Sequence, residues 1–201
     1  MSVLEEIEWS QYWVEETKRD KKRVLLVGDS ISVGYRSEVH KRLQGEAYVT
    51  VISTSKAVDN PMLIREIDFY AHAEEFEYEA IQFNNGLHGD HLGDDGYREG
   101  YEKVILYFKE HYPTVRLILA LSTPITVDGD PATLDPMNAS VISRNKIVLE
   151  LAEKYGLEVN DLYACVEGKT EIFAGDGYHY KKEGYEMMSE QIVAILKNGA
   201  K

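Results

Sequence analysis

Cysteine is nearly missing from this chain of 201 residues: Cys165 stands alone. That excludes an intramolecular disulfide framework and suits a reducing compartment. Basic charge is also short. Lys and Arg number 22 against 35 Asp and Glu, a formal net charge of −13. A general nucleic-acid binder needs a basic face, and anionic membranes attract basic surfaces, so neither partner is expected. No stretch approaches the ~18 consecutive apolar residues of a transmembrane helix. Residues 1–22 lack the basic start and apolar run of a signal peptide. These absences point to a cytoplasmic protein. Gly28 and Gly34 fit neither Gly-x-Gly-x-x-Gly nor Gly-x-x-x-x-Gly-Lys, which disfavours a dinucleotide or P-loop site.

Short apolar runs recur at intervals suited to strand–helix alternation. Strands are expected at residues 23–27, 48–52, 80–83, 116–121 and 157–160. Helices are expected at 32–43, 61–71, 97–111, 136–155 and about 181–197, the fourth opened by Asp135 and Pro136 and closed by Gly156. This alternation predicts an α/β fold, a three-layer α/β/α sandwich around a parallel sheet. Residues 23–201 read as a single domain. Residues 1–22 read as a helical extension packed on it, with Trp9, Tyr12 and Trp13 as its packing stripe. Two loops that follow expected strands, 86–96 and 122–135, are long for such a fold and belong at the ligand-binding edge.

The run Arg23-Val24-Leu25-Leu26-Val27 ends abruptly in Gly28-Asp29-Ser30. A serine between a strand's C-terminal end and a helix N-terminus is a candidate nucleophile, because backbone N–H groups there can hold a developing oxyanion. Near the far end, Asp176-Gly177-Tyr178-His179 can bring a carboxylate to one ring nitrogen of a histidine and leave the other to take a serine proton. Taken alone, the same residues also read as a helix-capping Asp beside a surface His. Phe83-Asn84-Asn85-Gly86-Leu87-His88 follows the third strand. An asparagine there can aim its amide at an oxyanion, though Asn-Asn-Gly also suits a tight turn.

In order and placement these segments resemble the SGNH hydrolases, the GDSL esterase/lipase superfamily, over residues 23–196. Gly28-Asp29-Ser30 matches the first block, and Asp176 to His179, with Lys182-Glu183-Gly184-Tyr185 behind it, resembles the last. Residues 83–88 look like the third block of a branch that carries Phe-Asn-x-Gly-Leu-His. The resemblance implies about five parallel strands in a flavodoxin-like order and a serine esterase acting on a small-molecule ester without metal or cofactor. It implies a triad of Ser30, His179 and Asp176. It also implies an oxyanion hole of the Ser30 N–H, an N–H from residues 56–58 (Val58 in the first instance) and the Asn84 amide. A shift of one residue puts that amide on Asn85. Asp29, Lys56, Asn85 and His88 are expected to line the substrate cleft. An O-acetylated carbohydrate is the first guess for the substrate.

One departure stands out. The second block supplies a glycine N–H in the family, and Ser53-Thr54-Ser55-Lys56-Ala57-Val58-Asp59-Asn60 contains no glycine. A backbone N–H survives any non-proline substitution, but a Cβ restricts φ, so the loop must take another shape. The missing glycine also motivates a second reading, a non-catalytic carbohydrate- or ligand-binding module. A flavodoxin-like electron carrier is a third, poorly served by Gly28-Asp29-Ser30-Ile31-Ser32 as a phosphate loop. His88-Gly89-Asp90-His91 with Asp94 and Asp95 reads as a polar loop, not a metal site, since the spacing is not that of a helical zinc pair. Cys165 has no adjoining base and reads as a half-buried thiol, and the acidic run 74–79 as a solvated face.

Overall fold

The computed structural model describes residues 3–198. Its strands are β1 (Ser10–Glu15), β2 (Lys22–Gly28), β3 (Ala47–Thr54), β4 (Ala80–Phe83), β5 (Arg116–Ala120), β6 (Thr126–Val127), β7 (Asp130–Leu134) and β8 (Glu158–Asn160). The helices are α1 (Ser30–Arg42), α2 (Pro61–His72), α3 (Asp94–His111), α4 (Asn138–Tyr155), α5 (Leu162–Val166) and α6 (Lys182–Asn198). The main sheet runs β1-β3-β2-β4-β5-β8. Its last five members are mutually parallel, as the apolar runs predicted, and in chain order they follow the flavodoxin-like sequence 2-1-3-4-5.

Alternation along β2 explains the layers. Leu25 and Val27 face one core with α2, α3 and α4, while Val24 and Leu26 face another with α1 and α6. Leu25 and Leu26 are fully buried. Burial of each contributes about 1.5–3 kcal/mol. Because both faces are covered, the strand is continuously apolar from Val24 to Val27 rather than alternating. The chain leaves β2 for β3 on one side and returns to β4 on the other. Ser30, directly after β2, therefore lies at the topological switch point where such sheets bind ligands.

The helical reading of residues 1–22 is corrected by β1. These residues pair antiparallel with β3 from Ser10–Thr54 to Glu15–Val49. Consecutive aromatics take opposite faces, as a strand requires. Tyr12 stacks on Tyr70 of α2 at 4.9 Å, and Trp13 lies under the Arg36 guanidinium of α1 at 4.2 Å. The spacing of Trp9, Tyr12 and Trp13 imitates a helical stripe, but covering the open edge of β3 decides the outcome. Loop 122–135 contains the β6–β7 hairpin. Asp135 does not cap α4 directly: its carboxylate accepts from the Met137 N–H at 2.8 Å, and the helix starts at Asn138. Gly156 ends α4 as expected, at φ 63°. No helix among the described residues is long and apolar enough to cross a membrane.

Candidate active site

Asp29 caps α1. Its Oδ1 accepts from the Ile31 N–H at 2.9 Å, and its main-chain oxygen takes the N–H groups of Ser32 and Val33. Among the described residues the Ser30 N–H has no protein acceptor, so one helix-terminal donor stays available beside the Ser30 hydroxyl. Asp29 itself is buried and does not line an open cleft. Burial pushes its carboxyl up from the ordinary range, against the charge of His88, the Ile31 N–H and the charge of His179.

Across the switch point, the loop before α6 carries the other half of the site. Asp176 Oδ1 accepts from the N–H groups of Tyr178 (3.0 Å) and His179 (2.8 Å). Asp176 Oδ2 lies 2.7 Å from His179 Nδ1, and His179 Nε2 lies 2.8 Å from Ser30 Oγ. An ionised carboxylate only accepts, so Nδ1 carries the proton and Nε2 is left to accept from the serine. Burial alone would raise the Asp176 carboxyl. The backbone and ring hydrogen bonds of His179, the Tyr178 N–H and the His179 charge outweigh it and hold the carboxyl at about 2.

A hairpin from an earlier part of the chain fixes this loop. Thr126 N–H donates to Gly177 O and Gly129 N–H to Gly175 O, both at 2.8 Å, so the β6–β7 hairpin docks against it. Gly177 has φ 84°, and a Cβ there would meet Thr126 O at 2.6 Å. A side chain is excluded by conformation and by space.

After β4 the two asparagines diverge. Asn84 Nδ2 donates to Ala120 O at 2.7 Å and to Ser122 Oγ at 3.1 Å. Asn85 Nδ2 donates to Lys56 O at 2.8 Å, and its main-chain oxygen accepts from Tyr97 OH. Asn84 is 8% exposed and Asn85 is 1%, so Asn85 is enclosed rather than cleft-lining. Val58 sits in a turn closed by Asn60 N–H to Ala57 O at 3.0 Å. Lys56 does not offer its ammonium to a cleft, being held by Glu66 (3.1 Å), Glu8 (3.4 Å) and Ser10. His88 is half-buried with Nδ1 3.7 Å from Glu5, and His91 pairs with Asp59 at 2.9 Å.

Arg144, on α4, went unnoticed in the sequence. It is buried and bonds only carbonyls: Gly86 O (3.0 Å), His88 O (2.9 Å) and Gly89 O (2.6 Å). Its guanidinium also lies over the Tyr97 ring. One cation thus holds the start of loop 86–96. The signal was its place in the apolar stripe Val141, Arg144, Val148, Leu151.

Solved structures share this architecture. A lipase/acylhydrolase from Enterococcus faecalis superposes with a TM-score of 0.71 at 20% identity, covering 90% of this chain and 97% of that one. A member of the lipolytic protein G-D-S-L family from Veillonella parvula gives 0.65 at 18%, covering 88% and 98%. The chain has the fold of the GDSL-type hydrolases. An acetyl xylan esterase gives a TM-score of 0.68 at 15% identity, covering 87% of this chain and 99% of its own. No protein-family model matches the sequence. No curated protein matches it either.

Proposed function

We propose that this GDSL-type chain is a serine esterase that hydrolyses a short-chain acyl ester. The observation that carries the reading is the continuous hydrogen-bonded chain Asp176–His179–Ser30, with links of 2.7 and 2.8 Å. Ser30 Oγ attacks the ester carbonyl while His179 Nε2 takes its proton. Asp176 fixes the ring orientation and stabilises the imidazolium. His179 then protonates the leaving alkoxide, and water, activated the same way, releases the acid from the acyl-enzyme.

The oxyanion is assigned to the Ser30 N–H, the Val58 N–H and the Asn84 amide. Asn84 is favoured over Asn85 because it keeps exposed surface and is anchored by Ala120 O, while its second hydrogen rests on a rotatable serine hydroxyl. An O-acetylated carbohydrate is the substrate class we favour; that one neighbour of the same fold is an acetyl xylan esterase supports it.

The test is hydrolysis of p-nitrophenyl acetate, butyrate and octanoate by wild type and Ser30→Ala. Turnover on the short esters that disappears in the variant is expected. Undiminished turnover in Ser30→Ala refutes the nucleophile. A wild type that neither turns over any ester nor is labelled at Ser30 by a fluorophosphonate points instead to a ligand-binding module.

A further inference from the structure

The turn that presents the Val58 N–H has no glycine, so something else must set its shape. The structure shows contacts on three sides. From α3, Gly100 allows the helix backbone to lie directly on the turn: a Cβ there would be 2.8 Å from Val58 O. From β4, the Asn85 amide holds Lys56 O. From the front, residues 5–9 lie across it.

Trp9 N–H donates to Ser55 Oγ at 2.9 Å, and Ser55 N–H donates to Trp9 O at 3.1 Å. Ser55 Oγ lies 3.1 Å from Glu8 Oε2, and the Lys56 ammonium lies 3.4 Å from the same oxygen. The other oxygen, Glu8 Oε1, takes the Asn60 amide at 3.5 Å. Ser55 and Lys56 precede the turn, and Asn60 closes it. One carboxylate therefore spans the turn from end to end. Glu5 does a related job next door, accepting from the Gly89 N–H at 2.8 Å beside His88.

We infer that residues 5–9 are a positioning element of the active site, with Glu8 as the staple that aims the Val58 N–H in place of the missing glycine. The inference rests on the esterase reading above. Glu8 touches no reacting atom, so it is a positioning residue. Its loss leaves Lys56 paired to Glu66 at 3.1 Å and the β1–β3 ladder intact, which separates positioning from folding.

The experiment compares full-length wild type, Glu8→Ala, Glu8→Gln and Glu8→Asp. Each is assayed for p-nitrophenyl acetate turnover across pH, for inhibition by an alkylboronic acid that mimics the tetrahedral intermediate, and for thermal melting. Glu8→Ala is expected to lower kcat by about tenfold or more, because a misplaced donor acts only in the transition state. Boronate affinity should fall by a similar factor, while KM and the midpoint of the pH profile stay. Glu8→Gln keeps an acceptor for Ser55 and recovers much of the loss. Glu8→Asp keeps the charge but is too short to span the turn, so it loses kcat in the same direction. Should Glu8→Ala melt below the assay temperature, Glu8→Asp decides. Wild-type kcat and boronate affinity in a folded Glu8→Ala or Glu8→Asp overturn the inference, as does a kcat loss with unchanged boronate affinity. A wild type without Ser30-dependent turnover overturns the esterase reading first and this inference with it.

Discussion

Gly34 is the most exacting test of how the two halves of the site are held together. It lies on α1, one turn beyond Ser30, and faces Tyr185 of α6. A Cβ at Gly34 would stand 2.1 Å from Tyr185 Cε1 and Cζ and 2.6 Å from its hydroxyl. Ordinary carbon contacts are ~3.5–4.0 Å, so the ring would have to move by more than about 1 Å. It has little freedom to do so. Tyr185 packs against the core beneath α1, its ring meets the Tyr180 ring edge-on, and its hydroxyl takes the Tyr180 N–H at 3.4 Å. Two effects compete in Gly34→Ala. Helix propensity favours alanine by about 1 kcal/mol. Overpacking opposes it by about 1–3 kcal/mol. The overlap is deep, so the steric term wins and the variant is destabilised by about 1–2 kcal/mol, read by urea unfolding. In a Tyr185→Ala background the steric term vanishes and propensity alone remains, so the same substitution becomes stabilising by about 1 kcal/mol. The sign should therefore reverse between backgrounds. Stabilisation by Gly34→Ala in the wild-type background would refute the close α1–α6 approach.

Two other perturbations test the supporting parts. Arg144→Met strips the carbonyls of Gly86, His88 and Gly89 of their shared donor; the two fully buried ones, Gly86 O and Gly89 O, cost about 1–3 kcal/mol each, so a loss of about 2 kcal/mol or more is expected by urea unfolding, with partial recovery in Arg144→Lys. A loss under about 1 kcal/mol would show that the carbonyls find other partners. Asp176, held at about 2 in the folded chain, lies below its unfolded value. Its contribution is thus complete above the unfolded value and disappears as pH falls through about 2. The carboxylate is half exposed, so the effect stays within about 1 kcal/mol. The stability gap between wild type and Asp176→Asn should shrink from pH 5 to pH 2, and a gap that widens on acidification would contradict the assignment.

The parallel sheet was legible because four of its five parallel strands are buried on both faces and read as largely apolar runs, while the edge strand β8 followed from the strand–helix alternation. Helix boundaries were legible within a few residues because helices must fill the intervals between buried parallel strands and because residues such as Gly156 mark their ends. β1 was not legible, because an edge strand is chosen by its neighbour's open edge, a tertiary fact. The β6–β7 hairpin did leave a sign, Asp128-Gly129 between Thr126-Val127 and Ala132-Thr133-Leu134, of the kind that marks a tight hairpin. Ser30, Asp176 and His179 were legible as residue types in order. Their convergence was implied by the family resemblance alone: Ser30 and His179 are 149 residues apart, and the α1–α6 packing together with the β6–β7 hairpin on the loop before α6 brings them within 2.8 Å. Lys56 and Asp29 show the reverse failure. Polar residues beside a motif invite a substrate role, yet both are buried, one in ion pairs and the other as a helix cap.

These supporting contacts share a physical logic. A loop at the end of a parallel strand carries carbonyls and N–H groups that no ladder satisfies. Here side chains from elsewhere in the chain satisfy them: Asn85 takes Lys56 O at the turn after β3, where Glu8 also braces the side chains of Ser55, Lys56 and Asn60, and Arg144 and Glu5 take backbone groups of the loop after β4. The two loops are joined as well. Asn85 bonds Lys56 O, and Gly89 abuts Ala57 so closely that a Cβ would approach the alanine methyl to 2.7 Å. A change at Glu8 or Arg144 therefore reaches both loops around Ser30. Under the proposed esterase mechanism, side chains that touch no substrate would then govern the placement of the oxyanion donors, and their catalytic effects should exceed what their own few contacts suggest.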